Sequence, residues 1–260
     1  MTDDAIREIR RSRWRREREK LGLADVHQQE FAKGGLGQYV PNLSLRLVIL
    51  AVDPECELVN FDEEFWSWWK IKHESPFGGP PDDTGGVIPT TNAAVRYDPL
   101  SDKPWSWDSY IALCRHGGLD MGLGHDGAGA TQEGKRIFWL VRIVGRLWNT
   151  LHFYREAVER CKISGPWECS VSLLGTQGGS LGNFATGWVY YTDTEANPYP
   201  CPEPNLCKRW ELDEWPAVDA TRDLAFGIGG WIENSWGMQL RRFIARSGRF
   251  EGQFDISCYR

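Results

Sequence analysis

Polar and apolar positions alternate from Leu43 and then run continuously apolar to Val52, which predicts a strand over 43–52 buried on both faces near its end. Asp53 and Pro54 stop it, because proline brings no amide to a ladder. The clearest period lies further on. Ile137, Leu140, Val141, Val144, Leu147, Trp148, Leu151, Tyr154 and Val158 recur every three or four residues and predict a helix over about 134–161. A second stripe of Val218, Thr221, Leu224, Ala225, Ile228, Trp231 and Ile232 predicts another helix, with Pro216 in its first turn and Gly237 ending it.

Between these elements the pattern is that of strands and turns. Residues 93–98 and 109–115 read as strands, His116-Gly117-Gly118 as a turn, and 119–123 as the returning strand of a hairpin. Residues 167–174 form a further strand ended by Gly175, with 188–191 and 208–212 as two more around a proline-studded loop. A short helix over 60–71 takes Asn60 or Asp62 as its cap. Glycine and proline predict long loops over 75–91 and 122–134, and the tail suggests a late hairpin about Ser247-Gly248. The expected class is α+β: an antiparallel-rich sheet with two long amphipathic helices on one face and an N-terminal basic helix.

That first helix covers residues 4–20, where strong helix formers occur without Gly or Pro. Arg7, Arg10, Arg11, Trp14, Arg15 and Arg18 line one stripe, opposed only by Ile6 and Ile9. A helix so polar has little core to join, so it is read as a solvated lead-in or as a contact for nucleic acid or a partner. Glycines over 33–38 make a joint, which divides the chain into 1–38 and a single domain over 39–260.

Charge sharpens this picture. The net charge of the 260-residue chain is -6, yet residues 1–20 hold eight Lys/Arg against five Asp/Glu, so the rest is strongly acidic. An acidic body neutralises phosphates poorly, which leaves the basic helix or a local pocket to touch nucleic acid. There is no run of about 18 apolar residues and no apolar leader after Met1, so a cytoplasmic protein without a membrane contact is expected. The seven cysteines are then expected to stay reduced.

The order of pieces suggests a family. An Arg-rich helix precedes Leu45-Arg46-Leu47-Val48-Ile49-Leu50-Ala51-Val52-Asp53-Pro54, then come a meander, a long helix and Val171-Ser172-Leu173-Leu174-Gly175-Thr176-Gln177-Gly178. This resembles the region downstream of the AlbA-type (Schlafen-like) DNA-binding domain of bacterial proteins, over about residues 5–240. Its motifs are hydrophobic and structural, and the chain is expected to begin at the connecting helix, without that domain. The resemblance therefore implies a fold and an accessory setting, not the DNA-binding domain's activity.

Candidate chemistry is sparse. His116, Asp120, His125 and Asp126 lie close in sequence and offer an acid–base or metal group for a hydrolase or nuclease, although two surface histidines on turns are the better reading. Gly134-Lys135-Arg136 before a helix resembles a phosphate loop but has Arg where a magnesium-binding hydroxyl belongs. Cys161, Cys169, Cys201 and Cys207 are spaced too widely for the paired ligands of structural zinc, so no metal and no cofactor is expected. Tryptophan is the outlier of the composition, at 14 copies. Core packing under the long loops is the first explanation of these rings; if they line a ligand site instead, it lies where the two glycine loops meet, walled by Trp66, Trp69 and Trp105, with Lys135 and Arg136 at the helix start for an anion. The function expected is a non-catalytic recognition or sensor module, an accessory subunit of a bacterial nucleic-acid-related or defence-type system. Its partners would be another protein subunit and a nucleotide or nucleic acid.

Overall fold

A computed structural model describes residues 36–51, 59–70, 86–90, 93–100, 103–125, 127–130, 134–182 and 199–237. The predicted basic helix, the 188–191 strand and the tail hairpin lie outside these residues. In chain order the described elements are β1 (Leu45–Ala51), α1 (Glu63–Trp69), β2 (Gly86–Pro89), β3 (Ala93–Leu100), β4 (Lys103–Cys114) and β5 (Leu119–Leu123). Then follow β6 (Ala128–Ala130), β7 (Arg136–Trp139), α2 (Leu140–Cys161), β8 (Trp167–Leu174), β9 (Ser180–Gly182), β10 (Asn205–Leu212) and α3 (Val218–Ser235). A 3-10 turn, Leu36–Tyr39, precedes β1.

Seven strands form one sheet in the order β10-β8-β1-β5-β4-β3-β2, and every neighbouring pair is antiparallel. The protein is α+β. In β1, Leu45, Leu47 and Ile49 point to one face, level with Leu123, Met121 and Leu119 of β5 and with Leu173, Val171 and Cys169 of β8. These side chains join α1, α2 and α3 in a single apolar cluster. The helix periods seen in the sequence account for this, since Ile143, Val144, Leu147, Leu151 and Tyr154 of α2 and Ala225, Ile228 and Ile232 of α3 are all fully buried. On the other face Ala93, Val95, Trp107, Tyr110 and Ala112 form a smaller core with Val40, flanked by Tyr39. Strands β3 and β4 are thus covered on both sides.

The structure departs from the sequence pattern at the start of the long helix and in both long loops. The long helix starts at Leu140 rather than about 134, because residues 136–139 pair with β6 and β9 in a second, three-stranded sheet. Ile137 and Phe138 are consecutive buried residues, and a short apolar run cannot be told from a helix by period alone. The loop over 75–91 holds the edge strand β2, whose Pro89 sits where a missing amide costs little. The loop over 122–134 likewise holds β6.

α2 spans the sheet lengthwise. Its start lies where β5 ends, with the Trp139 amide bonded to the Gly127 carbonyl, while Tyr154 donates to the Gly117 carbonyl in the β4–β5 turn.

Candidate functional site

Asp62 starts α1 by accepting a hydrogen bond from the Phe65 amide at 2.8 Å, and the helix then turns its aromatic residues inward. Trp69 is fully buried and stacked on Phe65, with ring centroids 5.6 Å apart, and Trp68 lies parallel to Phe153 of α2 at 5.4 Å. Trp69 is therefore core and not the wall of a cleft, and Trp66 is half-buried against Phe61 and Phe65. The Trp105 backbone belongs to β4, and its side chain lies outside the described part.

Lys135 and Arg136 stand elsewhere. Arg136 opens β7 and not α2, so no helix dipole points at it. Phe153, which meets the aromatic helix, comes thirteen residues after Leu140, which is about 20 Å along α2 at ~1.5 Å per residue. The tryptophans of α1 and the basic pair do not share a pocket. The six-residue basic stripe from Arg7 to Arg18 lies outside the described residues.

The histidine group is also divided. His116 sits in the β4–β5 turn, where its Nδ1 accepts from the Gly118 amide at 3.2 Å and burial lowers its pKa. His125 follows the far end of β5, within 3.2 Å of both Asp108 and Asn42. A five-residue strand separates the two rings, on the order of 15 Å at ~3.4 Å per residue. Asp120 lies between them but serves Arg46, and Asp126 is outside the described residues. Among the cysteines, Cys169 faces the main core, where burial pushes its thiol up to about 12. Cys207 is exposed on the other face, where the Ser172 hydroxyl donates to its sulfur at 3.3 Å. Among the described residues no three His, Cys, Asp or Glu side chains gather as metal ligands would.

Two arrangements emerge that the sequence pattern did not suggest. The first is a buried polar knot on the face of the sheet opposite Leu47. Arg46 grips Asp120 through two hydrogen bonds, Nε to Oδ1 at 2.8 Å and Nη2 to Oδ2 at 2.7 Å, and the Tyr110 hydroxyl donates to the same Oδ1 at 3.1 Å. Gly122 is in register with both Arg46 and Tyr110. A Cβ there would fall 2.3 Å from the Tyr110 ring, so the missing side chain lets the phenol cross β5 to reach the carboxylate. Burial first and the Asp120 charge second raise the Tyr110 pKa well above that of a free phenol. An arginine in an otherwise apolar strand was the available signal for this knot; its partner lay 74 residues away.

The second arrangement is a polar cleft of about 230 Å³ between the start of α1 and the end of α2. Asp62 and Glu64 line one side, Arg160, Cys161 and Lys162 the other, with Asn60 and Phe65 between them. Arg160 bridges the cleft to Glu64 at 2.6 Å while its guanidinium sits 5.6 Å over Trp68. Asp62 is committed to its cap and to Asn60, whose side-chain amide donates at 3.1 Å. Lys162 is different. It adopts the left-handed conformation, φ 53°, that ends helices most often at glycine, and its amide closes onto the Val158 carbonyl. Its side chain is exposed, and among the described residues no carboxylate pairs with it. Burial raises the pKa of the Cys161 thiol beside it, with the Arg160 charge opposing. The cleft can receive a small charged group: a cation at its rim, an ion pair across it, and an amide and a thiol within reach.

The fold and cleft define an α+β protein with a helix-end polar site, and no helix among the described residues is long and apolar enough to cross a membrane. Comparison with family models, with curated proteins and with solved structures finds no match to this chain.

Proposed function

We propose that this chain is a recognition module that receives a small anionic ligand, or an acidic group of a partner, in the cleft between α1 and α2. The observation that carries this reading is Lys162: a left-handed cation that pairs with no carboxylate among the described residues, held at the rim of a concave polar site where Arg160 and Glu64 are matched to each other. Non-glycine residues in the left-handed region cost about 1 kcal/mol or more, and such positions gather at ligand clamps. The module acts beside another protein in the bacterial cytoplasm, in a nucleic-acid-related or defence-type system, as the resemblance of its motifs to an AlbA-linked region implies. A role as an accessory subunit rather than an enzyme agrees with the scatter of His116, Asp120 and His125.

The test is a titration of the full chain with mononucleotides, followed by tryptophan fluorescence, since Trp68 lies beneath the Arg160 guanidinium that spans the cleft. A saturable change is expected in the native protein, weakened about tenfold in Lys162→Ala, the loss of one charge-assisted contact. No saturable change, or equal binding by the variant, would refute this use of the cleft.

A further inference from the structure

At the opposite end of α2 stands a second basic side chain that the cleft does not use. Arg136 is the first residue of β7, and its guanidinium is held on two sides. Phe138, two residues along the same face of the strand, places its ring centroid 5.1 Å from Cζ. Gly175, which ends β8 at φ 63°, supports the other side: Nη1 donates to its carbonyl at 3.5 Å. A Cβ on Gly175 would fall 2.3 Å from Nη1, so the guanidinium occupies space that only glycine leaves open.

The platform beneath is rigid. The Gly175 amide is taken by the Asn205 side chain at 2.9 Å, the Thr176 amide by the Pro204 carbonyl at 2.9 Å, and the Thr176 hydroxyl donates to the Glu203 carbonyl at 2.6 Å. The Gly178 and Gly179 amides are bonded to the carbonyls of Cys201 and Thr176. These bonds leave the guanidinium as the group with donors to spare. It has five N–H groups, and its hydrogen bond to Gly175 is at the limit of useful length. Among the described residues no carboxylate pairs with it. Half-burial nevertheless lowers the Arg136 pKa through desolvation, a cost that a structural arginine normally offsets with an anion. Lys135 is exposed beside it, and Gly134, at φ 78°, has open space around it.

We infer that Arg136, fixed between Phe138 and Gly175, is the anchor of an oxyanion site that takes a phosphate group. The planar fork pairs with two phosphate oxygens at once. The site is independent of the cleft, because α2 has 22 residues and separates Arg136 from Lys162 by about 30 Å at ~1.5 Å per residue.

The test is calorimetric titration of the full chain with inorganic phosphate and pyrophosphate, against acetate and chloride at matched ionic strength. With the cation of the cleft removed by Lys162→Ala, the chain should still bind phosphate, while adding Arg136→Gln to that variant loses about tenfold or more in affinity and adding Arg136→Lys, which keeps charge but not the fork, falls between them. Folding of each variant is checked by its melting curve, and Arg136→Lys alone decides the matter if Arg136→Gln does not fold. Phosphate heats no larger than those of chloride, or undiminished binding by the Arg136 variants, would overturn the site. An equal response to acetate would overturn the assignment to phosphate.

Discussion

Arg46, Asp120, Tyr110 and Gly122 show how much a few residues can settle inside a sheet. The ion pair is nearly dry, with 6% and 15% of the two side chains exposed. Burying charges is expensive, so such a pair adds little over well-packed apolar residues, but losing one partner strands the other. Asp120→Ala is therefore expected to destabilise the protein by about 3–5 kcal/mol in urea unfolding, and the double replacement Arg46→Met/Asp120→Leu by less than Asp120→Ala alone. A double replacement as costly as the single one would mean that the pair contributes net stability. Nearness in sequence groups Asp120 with His116 and His125. The register of β1 on β5 assigns it instead to Arg46.

At the scale of elements, α2 carries most of what could be read and most of what could not. Its buried stripe was plain from the period, yet its first turn was not, because Arg136 to Trp139 obtain their partners from β6 and β9. Its last residue, Cys161, is followed by Lys162 where glycine would relax the backbone. Lys162→Gly should stabilise the fold by about 1 kcal/mol while weakening whatever the cleft receives. The paired measurement is a melting curve and a mononucleotide titration of that one variant. A destabilised Lys162→Gly would show that the lysine side chain supports the fold itself.

Across the whole molecule, two buried acids sit on opposite faces of the central sheet. Cys169 is packed in the main core with its thiol pushed up to about 12, and Tyr110 is closed into the smaller one with its phenol raised as well. Both stay protonated in the folded chain after the unfolded chain has begun to ionise, so they hold their full contribution below the unfolded values and lose it as pH rises. The window opens at about 9 for the thiol and 10 for the phenol. Stability should therefore fall above pH 9, with a slope that approaches ~1.4 kcal/mol per pH unit for the thiol alone. Urea unfolding at pH 8, 9 and 10 measures this, and Cys169→Ala should flatten the slope between 9 and 10. An unchanged slope would place the alkaline loss in other groups.

What the sequence determined by itself was whatever depends on neighbours along the chain. The strand at Leu45, the cap at Asp62, the hairpin through Gly117, the stripes of α2 and α3 and the stop at Gly237 all follow from local period and turn chemistry, and together they specify an α+β fold. The tertiary structure decided what depends on neighbours across the chain. It placed β1 between β5 and β8, drew Arg136 into a strand, packed Trp69 onto Phe65, and set Lys162 at the mouth of a cleft with Asp62. The reason is physical: a period states which face an element buries, but charge pairing and concavity arise only when elements far apart in sequence are packed against one another.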